Sequence, residues 1–169
     1  QFQFDVKKRV AGIVLAKDAW RIEMKYEPLY PKFVEGMKGL VSTDYERLTP
    51  DMAVEIYQEE RVRQVIIFDA KYSWWQMDDG SYRPRDEHLG KMRKYRDMIR
   101  CSMYIPGNSR PKLQKIVTSS YILYPGTQLV HDQDEPEVGA LPFISNMTEQ
   151  ERLQVESAVE DILLCAKLI

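Results

Sequence analysis

The stretch LTPDMAVEIYQEERVRQVIIFDAKYSWW, residues 48–75, decides the fold. Two arms, MAVEIY (52–57) and VRQVIIFDAKY (62–72), are rich in Val, Ile, Phe and Tyr, the residues that suit a pleated, half-buried surface. The charged segment between them reads as the turn of a hairpin. Asp51 stands at the outer end of one arm, and Asp69 and Lys71 at the outer end of the other. A turn centred on Glu60 sets Asp51 across from Asp69, with Cβ atoms about 4.5–5.5 Å apart. Two carboxylates so placed repel unless a proton or cation lies between them. A hard divalent ion with oxygen ligands satisfies both.

Strand alternation adds a third group. Asp69 and Lys71 are two apart and share a face, while Phe68 and Ala70 take the other. The Lys71 ammonium then stands beside the cation position, able to hold a water or an anionic oxygen. Two acids, a lysine and Mg²⁺ (or Mn²⁺) suffice for phosphodiester hydrolysis. Glu55, on the same strand face as Asp51, is a possible outer acid. The plainer alternative is a strand-end salt bridge of Asp69 with Lys71, Arg61 or Arg63.

Around this hairpin the chain reads as α+β. VAGIVLA (10–16), a turn at KDAW, and the alternation of Ile22, Met24 and Tyr26 with Arg21, Glu23 and Lys25 predict a second hairpin. Residues 27–47, with Pro28, Pro31, Gly36 and Gly39, read as loop with a helical turn at most. Residues 76–86 read as a polar loop. Leu89, Met92, Tyr95 and Ile99 lie at helical spacing and predict a helix over 87–101. SMYIPGNSRPKLQ reads as loop, and KIVTSSYILY (115–124) as a strand ending at Pro125-Gly126. The acidic HDQDEPEVG (131–139) is expected to be polar and mobile. Thr148 and Glu151 form a capping box for a last helix, with Val155, Val159, Ile162, Leu163 and Ala166 as its apolar face.

Composition bounds the answer further. The chain has 169 residues, 44% hydrophobic and 30% charged, which fits one globular domain, 1–169, cut from a longer protein. No apolar run reaches the roughly 20 residues that span a bilayer. Cys101 and Cys165 read as free thiols, which suits a cytoplasmic protein, and two cysteines are too few for a four-cysteine iron–sulfur site. The net charge is −2, yet residues 83–115 carry ten basic side chains against three acidic ones. That stretch supports a local anion-binding surface, and Arg83, Arg85, Arg93 and Lys94 are its DNA-binding candidates. Two solvated faces of opposite sign explain the same pattern. Tyr72, Trp74 and Trp75 could stack on bases or cap the core. His88 and His131 have no partner at metal-ligand spacing. There is no Gly-rich phosphate loop, so any nucleotide-driven motor lies elsewhere.

TPDMAVEI followed by VIIFDAKYSW resembles the PD-(D/E)xK nuclease superfamily. Pro50-Asp51 matches the PD element and Asp69-Ala70-Lys71 the (D/E)xK element. DAKY, KMRKYRDMI, YILYPG and GALPFIS look like the McrC-type branch of restriction and defence nucleases. The resemblance covers about residues 20–145 and implies a restriction-endonuclease-like core, a central mixed sheet flanked by helices. It implies that Asp51, Asp69 and the Ala70 backbone carbonyl ligate Mg²⁺ and that Lys71 assists the attacking water or the scissile phosphate. It implies a DNA substrate, a separate NTPase or recognition subunit, and a homodimer where both strands are cut. Some branches carry Gln-x-x-x-Tyr on the next helix; here Lys91 and Tyr95 hold those places, so Lys91 departs from the pattern. Tyr95 also lies on the apolar stripe and reads equally well as a core tyrosine. The family often places a Glu on a helix before the first core strand; this chain opens in strand-like sequence, with Glu27 a weak substitute. A DNA-binding module that no longer cuts, and a structural domain whose basic helix meets an acidic protein, are the competing expectations.

Overall fold

A computed structural model describes residues 3–5, 12–78, 80, 82–126, 128–132, 135–143 and 147–165. Its strands are β1 (Gln3–Asp5), β2 (Gly12–Lys17), β3 (Trp20–Tyr26), β4 (Gly39–Ser42), β5 (Met52–Gln58), β6 (Arg61–Ala70), β7 (Trp74–Gln76), β8 (Tyr82–Pro84), β9 (Ile99–Met103), β10 (Lys112–Lys115), β11 (Val117–Tyr124), β12 (Val130–His131) and β13 (Val138–Pro142). The helices are α1 (Asp86–Met98) and α2 (Glu149–Cys165). Eight strands form one sheet in the order β1-β2-β3-β5-β6-β11-β13-β12, with β11 and β13 parallel and β12–β13 antiparallel. The sheet is therefore mixed, as the resemblance implies. By internal packing the chain divides into two compact units, residues 1–67 with 94–118, and residues 68–93 with 119–169.

In the first unit, the expected hairpin is β2–β3, closed by Asp18 and Ala19 between the paired Lys17 and Trp20. Asp18 takes a positive φ of 53°, which a short polar side chain tolerates better than most. β3 pairs with β5 in antiparallel register, Ile22 opposite Ile56 and Glu23 opposite Glu55. The turn of the central hairpin falls on Glu59 and Glu60, half a residue before the expected centre. Val65, Ile66 and Ile67 are fully buried, as a continuous apolar run in an interior strand requires. Residues 27–47, expected as loop or helical turn, instead contribute β4, which pairs with β9; β9 also pairs with β10. That pairing explains why α1 stops at Met98 rather than running to Cys101. Ile99 and Cys101 turn their apolar side chains into the core as strand residues.

In the second unit, Phe68, Tyr121, Ile122, Tyr124, Val138, Ala140 and Leu141 are buried, and the Phe68 and Tyr121 rings stack at 6.4 Å. Two expectations need correction here. The loop 76–86 contains part of a two-stranded ribbon, β7–β8. The acidic 131–139 segment is not merely polar loop. Val138 and Gly139 enter β13, and Asp132 is buried by an ion pair with Arg93. Gly139 is required by contact: a Cβ there would lie 2.4 Å from the Val130 carbonyl oxygen and 2.9 Å from the Tyr121 ring. α2 begins as expected. The Glu151 carboxylate accepts from the Thr148 backbone N–H and hydroxyl, each at 2.8 Å, and the Glu151 N–H donates back to the Thr148 hydroxyl at 3.3 Å. Those bonds hold the Glu151 carboxyl below its ordinary value. Ile162 is buried, while the Leu163 side chain and Ala166 lie outside the described residues.

Candidate active site

Asp69 is the penultimate residue of β6 and is completely buried. A buried carboxylate needs charged or hydrogen-bonding partners, and lysines supply them. Lys71 donates to the Asp69 Oδ2 and, at 3.0 Å, to the Ala70 carbonyl. Lys91 of α1 donates to the same carboxylate, 3.2 Å from Oδ2 and 3.4 Å from Oδ1. The backbone keeps Lys71 in place beyond the end of β6, since its N–H donates to the Leu123 carbonyl of β11 at 2.9 Å. Asp69, Ala70, Lys71 and Lys91 are thus brought together within the second unit.

This geometry bears on a metal. One ammonium nitrogen contacts both the Asp69 carboxylate and the Ala70 carbonyl, so these two oxygens face a common cation position. They are the hard oxygen donors that Mg²⁺ takes, so the residues fit the ion. Among the described residues, no cluster of three or more His, Cys, Asp or Glu is placed to hold a metal. A cation held here would meet one carboxylate and one backbone carbonyl.

Asp51 and the possible accessory acids lie in the first unit. Asp51 sits one residue before β5, half-buried in a bend, rather than within the strand. Its carbonyl accepts from the Glu27 N–H at 2.8 Å, so Glu27, exposed and at a φ of 46°, is tied to Asp51 by backbone. Tyr95 is buried, and its hydroxyl donates to the Thr49 carbonyl at 3.2 Å. It therefore both packs in the core and pins the segment that leads into Pro50-Asp51.

Glu55 belongs to a different network. It is buried, accepts from the Tyr30 hydroxyl at 3.0 Å, from the Tyr57 hydroxyl at 2.5 Å, and from Lys25. Lys25 also meets Glu23 at 3.1 Å. Glu23 and Glu55 are directly opposed across β3 and β5, and the Lys25 ammonium contacts both carboxylates. Burial and the Glu55 charge raise Tyr30 and Tyr57 well above the ordinary tyrosine value. Lys25 is also raised, because the hydrogen bond and charge of Glu55 outweigh a burial that acts the other way.

The basic helix is internally neutralised to a large extent. Arg93 pairs with Asp132 and with Glu135 at 3.3 Å, and Lys94 pairs with Asp44 at 2.5 Å. Arg83 is exposed on β8, and Arg85 lies 3.7 Å from Glu87. His88, a lone histidine by sequence spacing, meets the Ser73 side chain at 3.3 Å. Burial lowers the His88 pKa; the nearby Glu87 opposes this and Lys71 adds to it. No local signal marks that pair, because Ser73 and His88 come together only when the chain folds back after β8.

The fold and these residues define a nuclease-type architecture, a mixed sheet carrying an acid-x-lysine strand end. A family model described as the PD-(D/E)XK nuclease superfamily matches residues 4–129. The chain belongs to that superfamily, and its α+β fold is restriction-endonuclease-like. Comparisons with curated proteins and with solved structures gave no match. Among the described residues, no helix is long and apolar enough to cross a membrane.

Proposed function

We propose that the chain is a Mg²⁺- or Mn²⁺-dependent DNA endonuclease of the McrC-like branch, serving restriction or phage defence in the cytoplasm with a separate NTPase or recognition subunit. The observation that carries this reading is the Asp69-Ala70-Lys71 strand end, whose carboxylate and carbonyl face one cation position, contacted by the Lys71 ammonium. By the motif match Asp51, Asp69 and the Ala70 carbonyl would hold the ion, and both packing units would act as one nuclease domain, which the span of the family match supports. An ion bound there would supply Lewis acidity to the phosphate and its attacking water. Lys71 orients the attacking water, and Lys91 holds a non-bridging oxygen of the scissile phosphate as negative charge builds on it. Water oxygen bonds to phosphorus while the bridging P–O bond breaks. Glu27 and Glu55 are outer acids at most, and Tyr95 acts by holding the Asp51 segment. A homodimer would cut both strands.

Supercoiled-plasmid cleavage with Mg²⁺ or Mn²⁺ tests the reading, comparing wild type with Asp69→Ala and Lys71→Ala. Loss in both variants is expected, and equal cleavage by all three proteins ends the proposal. One observation favours a second reading, a DNA-binding module that no longer cuts. Two ammonium groups already neutralise Asp69, and Lys91 stands where related chains carry a neutral glutamine. Salt-sensitive DNA binding with no cleavage and no metal uptake by calorimetry would establish that alternative.

A further inference from the structure

The ribbon that follows Lys71 presents aromatic rings to solvent. Tyr72 is 84% exposed and Trp75 57% exposed. Such rings are costly to leave in water, and an exposed apolar patch rimmed by polar residues marks a binding surface. In the β7–β8 register, Trp75 lies opposite Arg83, so the two share a face. The Arg85 guanidinium stands over the Trp75 ring, 5.0 Å from its centre. On the other face Trp74 meets Tyr82 edge to face at 5.8 Å, and Trp75 is the more exposed of the two indoles.

We propose that Trp75 and Tyr72, with Arg83 and Arg85, form a stacking platform for unpaired bases of single-stranded DNA beside the catalytic strand end. The proposal rests on the nuclease reading and names its substrate form. An indole can stack only on a base whose face is open, and a duplex interior offers none. Guanidinium groups flanking the ring meet the phosphates on either side of the stacked base. Trp75 is four residues past Lys71, at most about 14 Å along the chain. Even at the duplex spacing of about 3.4 Å per nucleotide along a strand, shorter than that of an extended single strand, the platform grips the substrate within a few nucleotides of the bond cut. The duplex would therefore be opened, or met at a single-stranded end or gap, before cleavage.

Fluorescence anisotropy of the full chain in EDTA, where no cleavage occurs, tests this. The probes are labelled oligo-dT and a blunt duplex of the same length. Wild type is expected to bind oligo-dT more tightly than the duplex. Trp75→Ala should weaken oligo-dT binding about tenfold and leave duplex binding unchanged. Trp75→Phe should recover most of the loss, and far-ultraviolet circular dichroism should show all variants folded. Unchanged oligo-dT binding by Trp75→Ala, or equal affinity for both probes, overturns the proposal and leaves the face to a protein partner. If plasmid cleavage still depends on Asp69 in that case, the nuclease reading stands while the platform falls. If no protein cuts but oligo-dT binding depends on Trp75, the platform stands alone.

Discussion

Lys91 on α1 lies 3.2 Å from the carboxylate of Asp69 on β6, so this buried acid is held by two ammonium groups rather than one. Tyr95, one helical turn further on, reaches the Thr49 carbonyl two residues before Asp51. Each contact lies within one packing unit, Lys91 with Asp69 in the second and Tyr95 with Thr49 in the first.

Lys91→Gln tests what the second ammonium does. On the metal-dependent reading it removes a cation that would compete with the metal for Asp69. Lys91 is substantially exposed, so the competing interaction is worth about 1 kcal/mol or less. The metal concentration for half-maximal cleavage should fall about two- to fivefold. At saturating metal Lys71→Ala should lower the rate by about 100-fold or more, and Lys91→Gln should lower it too, by less, since the scissile phosphate loses the ammonium proposed to hold it. Metal titrations of cleavage, with calorimetric binding alongside, separate the two. A raised metal requirement in Lys91→Gln would contradict the competition.

Tyr95→Phe keeps the buried ring and deletes one hydrogen bond. The stability loss should be about 1 kcal/mol by urea denaturation. Cleavage should fall more than that loss explains, because Thr49, and with it Asp51, is no longer pinned. A variant as active as wild type would reduce Tyr95 to a packing residue.

The Glu55 network predicts alkaline lability. Lys25, Tyr30 and Tyr57 all have folded pKa values above their ordinary 10.5, 10.0 and 10.0. A raised folded pKa contributes stability that is intact below the unfolded value and is lost as pH rises through the folded one. Urea midpoints should therefore hold between pH 7 and 9 as far as these groups are concerned, and fall from about pH 10 upward. Glu55→Gln should cost about 2–3 kcal/mol at neutral pH, discounted for the partial exposure of Lys25. The variant should also show a shallower alkaline slope. An unaltered slope would place the lability elsewhere.

Gly139→Ala forces a methyl group to within 2.4 Å of the Val130 carbonyl oxygen. Backbone must move to relieve it, at a cost of about 1–3 kcal/mol. Thermal denaturation checks this. Gly90, on the open side of α1 with nothing within 4 Å, is the control: alanine there should be neutral or stabilising by up to about 1 kcal/mol.

Much of the sheet was legible in the chain. The β2–β3 turn, the β5–β6 hairpin, β11 and the Thr148 capping box each express a local rule, either period-two alternation or a three-residue spacing. β4, β7, β9 and β10 were not legible. They are three to five residues long, and they are strands only because distant segments pair with them. The same cause ended α1 at Met98, since pairing of Ile99–Met103 with β4 and β10 outweighed the helical spacing of Ile99. Asp132 was misread because its burial depends on Arg93, 39 residues away.

By itself the sequence determined that Asp69 and Lys71 share one strand end with Ala70 between them, because alternation along a strand is a property of the backbone. It also determined the superfamily motif. Only the tertiary structure decided that Lys91 joins Asp69, that Glu55 is engaged by Lys25 and two tyrosines, and that Tyr72 and Trp75 face water. Ion pairing and exposure depend on which remote segments come within a few ångströms, and no local pattern encodes that distance.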